Sequence, residues 1–287
     1  MKIKYSLLKK ILDNQCHNRL TNKEIDFLME IAQYQDDVGF IKGIYYRDIC
    51  KNTDMCKQTF YSVLRSLKRK GFITYKRNEL DSDYDIKILD NDFSYPESYR
   101  EGYINVSRKI FHTHKFHQLK AQEKLLLLHF MKITHSSSGS YQIGTGKFYE
   151  TYTKLLGVTK RVLRGYLHTL KKFFSIGIKN GKYFISYLRT VFNDRMEVSE
   201  TDKYMGYLVG VSCRRAKIKE AAPSAVKDII TLMKQYRKEA EEREEGKSIF
   251  KIVDECIRLS VQSRTKELNS KYIHKLVRAA LGLNWIG

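Results

Sequence analysis

The sequence predicts an α+β fold, mostly α, in which one arrangement of elements occurs twice before a helical C-terminal region. Three observations carry that reading. The order helix, short strand, helix, helix, hairpin recurs within residues 21–93 and 103–195. The chain of 287 residues is 42% hydrophobic and 12% aromatic, enough for a sizeable core, and its two prolines, Pro96 and Pro223, leave most helices unbroken. The formal net charge is +21, and much of it falls on corresponding helices of both copies, which points to a polyanionic partner.

Residues 1–20 read as an N-terminal basic segment, with a short helix over 5–20. Thr21-Asn22-Lys23-Glu24 is a capping box, with Thr21 as N-cap and Glu24 at the third helical position. Ile25, Phe27, Leu28 and Ile31 follow at helical spacing, and the helix is expected to end near Tyr34. Gly39 to Ile44 is extended, and Tyr45 to Lys51 forms a helix of about two turns. After the polar turn Asn52-Thr53-Asp54, a longer helix runs from Met55 to about Lys70. Phe60, Val63, Leu64 and Leu67 make its inward stripe, and Gly71 stands where a C-terminal cap belongs. Phe72 to Tyr75 and Tyr84 to Ile88 read as the two strands of a hairpin.

Residues 78–101 are acidic: Glu79, Asp81, Asp83, Asp85, Asp90, Asp92, Glu97 and Glu101 face only Lys87 and Arg100. The expectation is an acidic hairpin tip that avoids phosphate, followed by an acidic linker over 94–102.

The second copy begins with a helix from Lys120 to Thr134 that buries Leu125, Leu127, Leu128 and Met131. Tyr141 to Ile143 is extended, Phe148 to Leu156 is helical, and Gly157-Val158 is a turn. The third helix, Thr159 to Phe173, has Val162, Leu163, Tyr166, Leu167 and Leu170 as its apolar stripe. Asn180-Gly181 joins two apolar-rich strands, Ser175 to Lys179 and Lys182 to Leu188. That dipeptide tolerates the positive φ at both positions of a tight hairpin turn.

The run Thr59-Phe60-Tyr61-Ser62-Val63-Leu64-Arg65-Ser66-Leu67-Lys68-Arg69-Lys70-Gly71-Phe72-Ile73 resembles the recognition helix and first wing strand of the winged helix-turn-helix family. The resemblance implies two tandem winged-helix domains, 21–93 and 103–195, each placing its third helix in the major groove of DNA. On the first such helix the outward positions are Lys57, Gln58, Tyr61, Ser62 and Arg65, with Lys68, Arg69 and Lys70 near its end suited to phosphate. On the second they are Thr159, Lys160, Arg161, Arg164, Gly165 and His168, with Lys171 and Lys172 toward its end. Lys179 and Lys182 flank the Asn180-Gly181 tip, so the second wing suits a phosphate or minor-groove contact. Any one of these side chains also reads as an ordinary solvated residue. Their coincidence on both helices points to DNA.

Residues 196–287 look helical, with segments Ala222 to Glu245, Lys247 to Val261 and Ser270 to Leu281. Their ending, Asn269-Ser270-Lys271-Tyr272-Ile273-His274-Lys275-Leu276 with Asn284-Trp285, is similar to the C-terminal helical module of DnaD-type primosomal proteins. The single tryptophan reads as a packing anchor.

Other chemistry is poorly supported. The cysteines at 16, 50, 56, 213 and 256 form no C-x-x-C pair, which fits a reduced cytosolic protein with structural thiols and no zinc site. His112-Thr113-His114 departs from the HUH nicking-enzyme pattern, because Thr113 stands where a bulky hydrophobe belongs. Gly144-Thr145-Gly146-Lys147 lacks the spacing of a phosphate loop. No apolar run is long enough for a signal peptide or a membrane span.

The expected function is sequence-specific binding of double-stranded DNA, without enzymatic activity, cofactor or metal, in a cytoplasmic protein associated with nucleoid or plasmid. Initiation of plasmid or phage replication leads, because tandem winged helices and a helical tail match the architecture of such initiators. The tail would then recruit replication proteins or self-associate. The alternatives are a transcriptional regulator with a dimerising or sensing C-terminal region, and an adaptor using a winged helix as a protein-binding platform.

Overall fold

The computed structural model describes residues 1–13, 19–78, 82–106, 108–136, 140–188, 199–218, 221–243, 248–262 and 267–283. Glu79, Asp81, Cys16, Asn284 and Trp285 lie outside the described residues. The fold is α+β and mostly helical, with small antiparallel sheets. It divides into two compact units, Met1–Arg195 and Met196–Gly287.

The first unit opens with β1 (Lys2–Lys4) and α1 (Tyr5–Asp13). The expected N-terminal helix is thus preceded by a strand. β1 pairs antiparallel with β5 (Tyr103–Asn105), and α1 buries Leu7, Leu8, Ile11 and Leu12. The main-chain N–H of Lys4 donates to Asn91 Oδ1 at 2.8 Å, so the basic start is built into the core layer.

The first repeat comprises α2 (Asn22–Ile31), β2 (Phe40–Ile44), α3 (Tyr46–Thr53), α4 (Lys57–Arg69), β3 (Ile73–Asn78) and β4 (Asp83–Ile88). Its sheet has the order β2-β4-β3. The capping box at the start of α2 forms: Glu24 N–H donates to Thr21 Oγ1 at 3.3 Å, and Thr21 N–H donates to Glu24 Oε2 at 2.6 Å. α4 ends in a Schellman motif, in which the Gly71 N–H donates to Lys68 O and the Phe72 N–H to Leu67 O, both at 3.0 Å. Gly71 holds φ at +73°, which a Cβ would oppose.

The second repeat comprises α6 (Ala121–Ser136), β6 (Ser140–Gly144), α7 (Thr145–Leu156), α8 (Lys160–Leu170), β7 (Phe174–Lys179) and β8 (Lys182–Tyr187). Its sheet order, β6-β8-β7, has the same topology as the first. Asn180 and Gly181 adopt φ of 49° and 68°, as their hairpin turn requires. The third helix stops at Leu170 rather than Phe173, because Phe173 and Phe174 both turn into the core. Val162 is 41% exposed and lies outside the apolar stripe, which Leu163, Tyr166, Leu167 and Leu170 form alone.

The repeats share one interior. Residues Glu24 through Ile31 of α2 are all buried, so the helix is enclosed on every side. Each of its three carboxylates is engaged by a different element, while Asp26 Oδ2 is buried without a hydrogen-bond partner. Glu24 pairs with Lys70 at 2.7 Å, and Asp26 pairs with Lys124 of α6 at 2.5 Å. Glu30 accepts from Gln33, Tyr34 and Asn52.

Between the repeats lie a 3-10 turn at Pro96–Tyr99, β5, a second 3-10 turn at Arg108–His112 and α5 (His114–His117). The residues expected as a linker are engaged. Glu101 pairs with Lys4 at 2.8 Å, and Asp90, just before them, pairs with Lys10 at 2.7 Å.

In the C-terminal unit, α9 (Glu200–Arg215), α10 (Pro223–Gln235), α11 (Arg237–Arg243), α12 (Ile249–Gln262) and α13 (Ser270–Ala280) surround a core that includes Val209, Ile229, Val253, Ile257, Ile273 and Val277. The single helix expected over 222–245 breaks at Tyr236, whose ring is buried and whose hydroxyl lies 2.9 Å from His274 Nε2. Ser212 Oγ donates to Asp254 inside this unit. Burial raises the thiols of Cys213 and Cys256 to about 11, in keeping with packing roles. Among the described residues no helix is long and apolar enough to cross a membrane.

Candidate nucleic-acid interface

α4 and α8 are each divided lengthwise into an apolar and a polar face, and neither carries an acidic residue. Phe60, Val63, Leu64 and Leu67 bury one side of α4. The other side brings Lys57, Gln58, Ser62, Arg65, Lys68 and Arg69 to the surface, with Tyr61 half-buried at its edge. On α8, Thr159, Lys160, Arg161, Arg164, Gly165, His168, Lys171 and Lys172 are all exposed. The sequence-derived set is thus brought together on two surfaces.

One position differs from expectation, and the starts of both helices carry contacts the sequence did not indicate. Lys70 is half-buried, its ammonium held by Glu24 and by the Arg19 carbonyl at 2.7 Å, so it does not join the exposed cations. The Thr159 hydroxyl caps α8 by accepting from the Val162 N–H at 3.4 Å, which fixes the helix start as well as facing outward. At the start of α4 the cap is Cys56, exposed, with Sγ 3.1 Å from Thr59 Oγ1. Hydrogen bonding from Thr59 lowers that thiol's pKa.

Among the described residues of the first hairpin, two carboxylates are turned away from solvent or engaged. Asp83 is buried, and Asp85 Oδ1 accepts from the Gly43 N–H at 2.7 Å, at the irregularity between Ile41 and Ile44 of β2. Lys76, Arg77 and Lys87 are exposed. Strand alternation gave no sign of this, because the partner of Asp85, Gly43, lies 42 positions away in the sequence. On the second hairpin, Lys179 and Lys182 are exposed at the tip, beside Ile178, which is 61% exposed.

A depression of about 380 Å3 opens between α4 and the first hairpin, lined by Tyr61, Leu64, Arg65, Tyr75, Arg77 and Tyr84. Tyr75 and Tyr84 meet edge to face with centroids 5.6 Å apart, and Tyr61 and Tyr84 do so at 6.3 Å. Lys68 Nζ sits 4.7 Å from the Tyr75 ring centroid, and Lys57 Nζ 5.0 Å from that of Tyr46. Sequence reading placed only Tyr61 and the helix cations here. Tyr75 and Tyr84 pass as ordinary strand residues until the hairpin folds back on α4.

The histidines of the 112–117 segment point to different partners. His112 Nε2 lies 2.9 Å from Gln33 Oε1, His117 Nδ1 lies 3.9 Å from Asp26, and His114 is exposed. Among the described residues no group of three or more His, Cys, Asp and Glu side chains could hold a metal ion.

No protein-family model matches the chain, and neither do curated proteins or solved structures.

Proposed function

We propose that the chain binds double-stranded DNA sequence-specifically through two tandem winged helices and acts as the replication initiator of a plasmid or phage, by binding rather than catalysis. The observation that supports this most is the doubling of one surface. In both repeats the helix before the hairpin buries an apolar stripe and exposes a carboxylate-free face of cations and hydrogen-bonding side chains. Such a face suits the phosphates and base edges of a major groove. The element order of each repeat supports the winged-helix reading, and the shared interior gives both helices a common rigid frame. In this reading the C-terminal helices recruit replication partners.

The test is salt-dependent binding of genomic fragments by the wild type and an Arg161→Ala, Arg164→Ala variant. Loss of two phosphate contacts should weaken binding and reduce the log–log salt slope by about 2. An unchanged slope removes α8 from the interface. Sequencing of the selected fragments separates roles: a repeat array at an AT-rich origin supports initiation, whereas single promoter sites overturn it in favour of transcriptional regulation.

A further inference from the structure

The groove between α4 and the first hairpin is built unlike its counterpart in the second repeat. In the first, Arg77 pairs in register with Tyr84, and Tyr75 with Ile86, so Tyr75, Arg77 and Tyr84 share the face turned toward α4. In the second, the same register gives Ile178 opposite Tyr183 and Ile176 opposite Ile185. Tyr183 there packs 4.4 Å from Phe148, with its hydroxyl 2.8 Å from that of Tyr149. On the helices, Tyr61 and Arg65 of α4 stand one turn apart, as Arg164 and His168 do on α8.

In the second repeat, then, Tyr183 is buried against Phe148 and an exposed Ile178 stands where Arg77 does, whereas in the first repeat half-buried rings and guanidinium groups face solvent. The first groove combines half-buried faces of Tyr61 and Tyr75, a floor of Leu64 and Tyr84, and exposed Arg65 and Arg77 at the rim. Its volume of about 380 Å3 falls within the size range of small-ligand clefts. Ring faces accept any nucleobase by stacking, and guanidinium groups hold phosphate by paired hydrogen bonds. A base stacked inside a duplex cannot reach such a site; an unpaired one can.

We infer that this groove binds an unpaired DNA strand, with one base among Tyr61, Tyr75 and Tyr84 and the flanking phosphates on Arg65 and Arg77. The inference extends the nucleic-acid reading of the α4 face, giving the first repeat a role in capturing a melted strand that the second repeat lacks.

The test uses the full chain and two probes, a labelled oligothymidylate and a hairpin duplex. A second oligothymidylate carries 5-iodouracil for photocrosslinking and peptide mapping. The wild type should bind the single strand and give adducts on Tyr61, Tyr75 or Tyr84. A Tyr75→Leu, Arg77→Gln variant should lose roughly five- to a hundredfold in single-strand affinity and severalfold less in duplex affinity. Circular dichroism checks that the variant is folded, and the adduct map, made on unaltered protein, stands without it. Single-strand binding unchanged in the variant, adducts confined to residues outside the groove, or no single-strand binding by the wild type each overturns the inference. Groove adducts without duplex binding uphold it while removing the double-strand reading. Duplex binding with no groove adducts does the reverse.

Discussion

The His129 ring is packed against Tyr152 at a centroid distance of 5.4 Å, and its Nδ1 is buried without a hydrogen-bond partner. Burial, with a smaller contribution from the Lys132 charge, lowers its pKa to about 4. The folded state therefore resists a proton that the unfolded chain accepts near its ordinary value of about 6.5. The stability this group contributes is full above that value and is lost as pH falls through it toward 4. A wild-type loss of about 3 kcal/mol from this group is expected between pH 7 and 4. Urea denaturation of His129→Phe should show a correspondingly flatter pH profile, and a profile parallel to wild type would remove His129 as its source. At this scale the sequence was legible where a residue acts on its neighbours: Thr21, Glu24, Gly71, Asn180 and Gly181 do what their local chemistry requires. Lys70 was not legible, because Glu24, 46 positions away, takes it.

Between elements, the ion pair of Asp26 on α2 and Lys124 on α6 shows why charge in a sequence misleads. Both side chains are almost wholly buried, and burial lowers the Lys124 pKa against the attraction of Asp26. Lys124 also lies 4.8 Å from the Phe116 ring. Removing one partner strands the other charge without water. Lys124→Met should therefore destabilise the first unit by about 3–5 kcal/mol, and adding Asp26→Leu should recover most of that loss. A double-mutant cycle by chemical denaturation measures the coupling, and additive losses would show that the pair is not coupled. Helical periodicity located α2 and α6, but it assigns a buried face only to helices with one partner. α2 is packed from all sides, so its carboxylates could not be told from a solvated stripe. Within the acidic stretch 78–101, Asp90 and Glu101 likewise pair with Lys10 and Lys4 of the N-terminal segment, contacts that no local pattern records.

Over the whole first unit, the central position of α2 and α6 and the β1–β5 pairing make the repeats depend on one interior. They should open together. Amide exchange at Ile86 and Ile185, on the central strands of the two sheets, is expected to report the same opening free energy. A repeat opening separately by more than roughly 2 kcal/mol would mean that each holds its own core. The sequence by itself determined the doubled order of elements, the inward stripe of α4, that of α8 apart from Val162, and the cations opposite them, because periodicity, caps and turn chemistry act over a few residues. The tertiary structure alone decided that the repeats share an interior, that Asp85, Asp90 and Glu101 are engaged, and that Tyr61, Tyr75 and Tyr84 meet in one groove. Those outcomes depend on contacts between residues distant in the chain, and no local pattern records which distant surfaces complement each other.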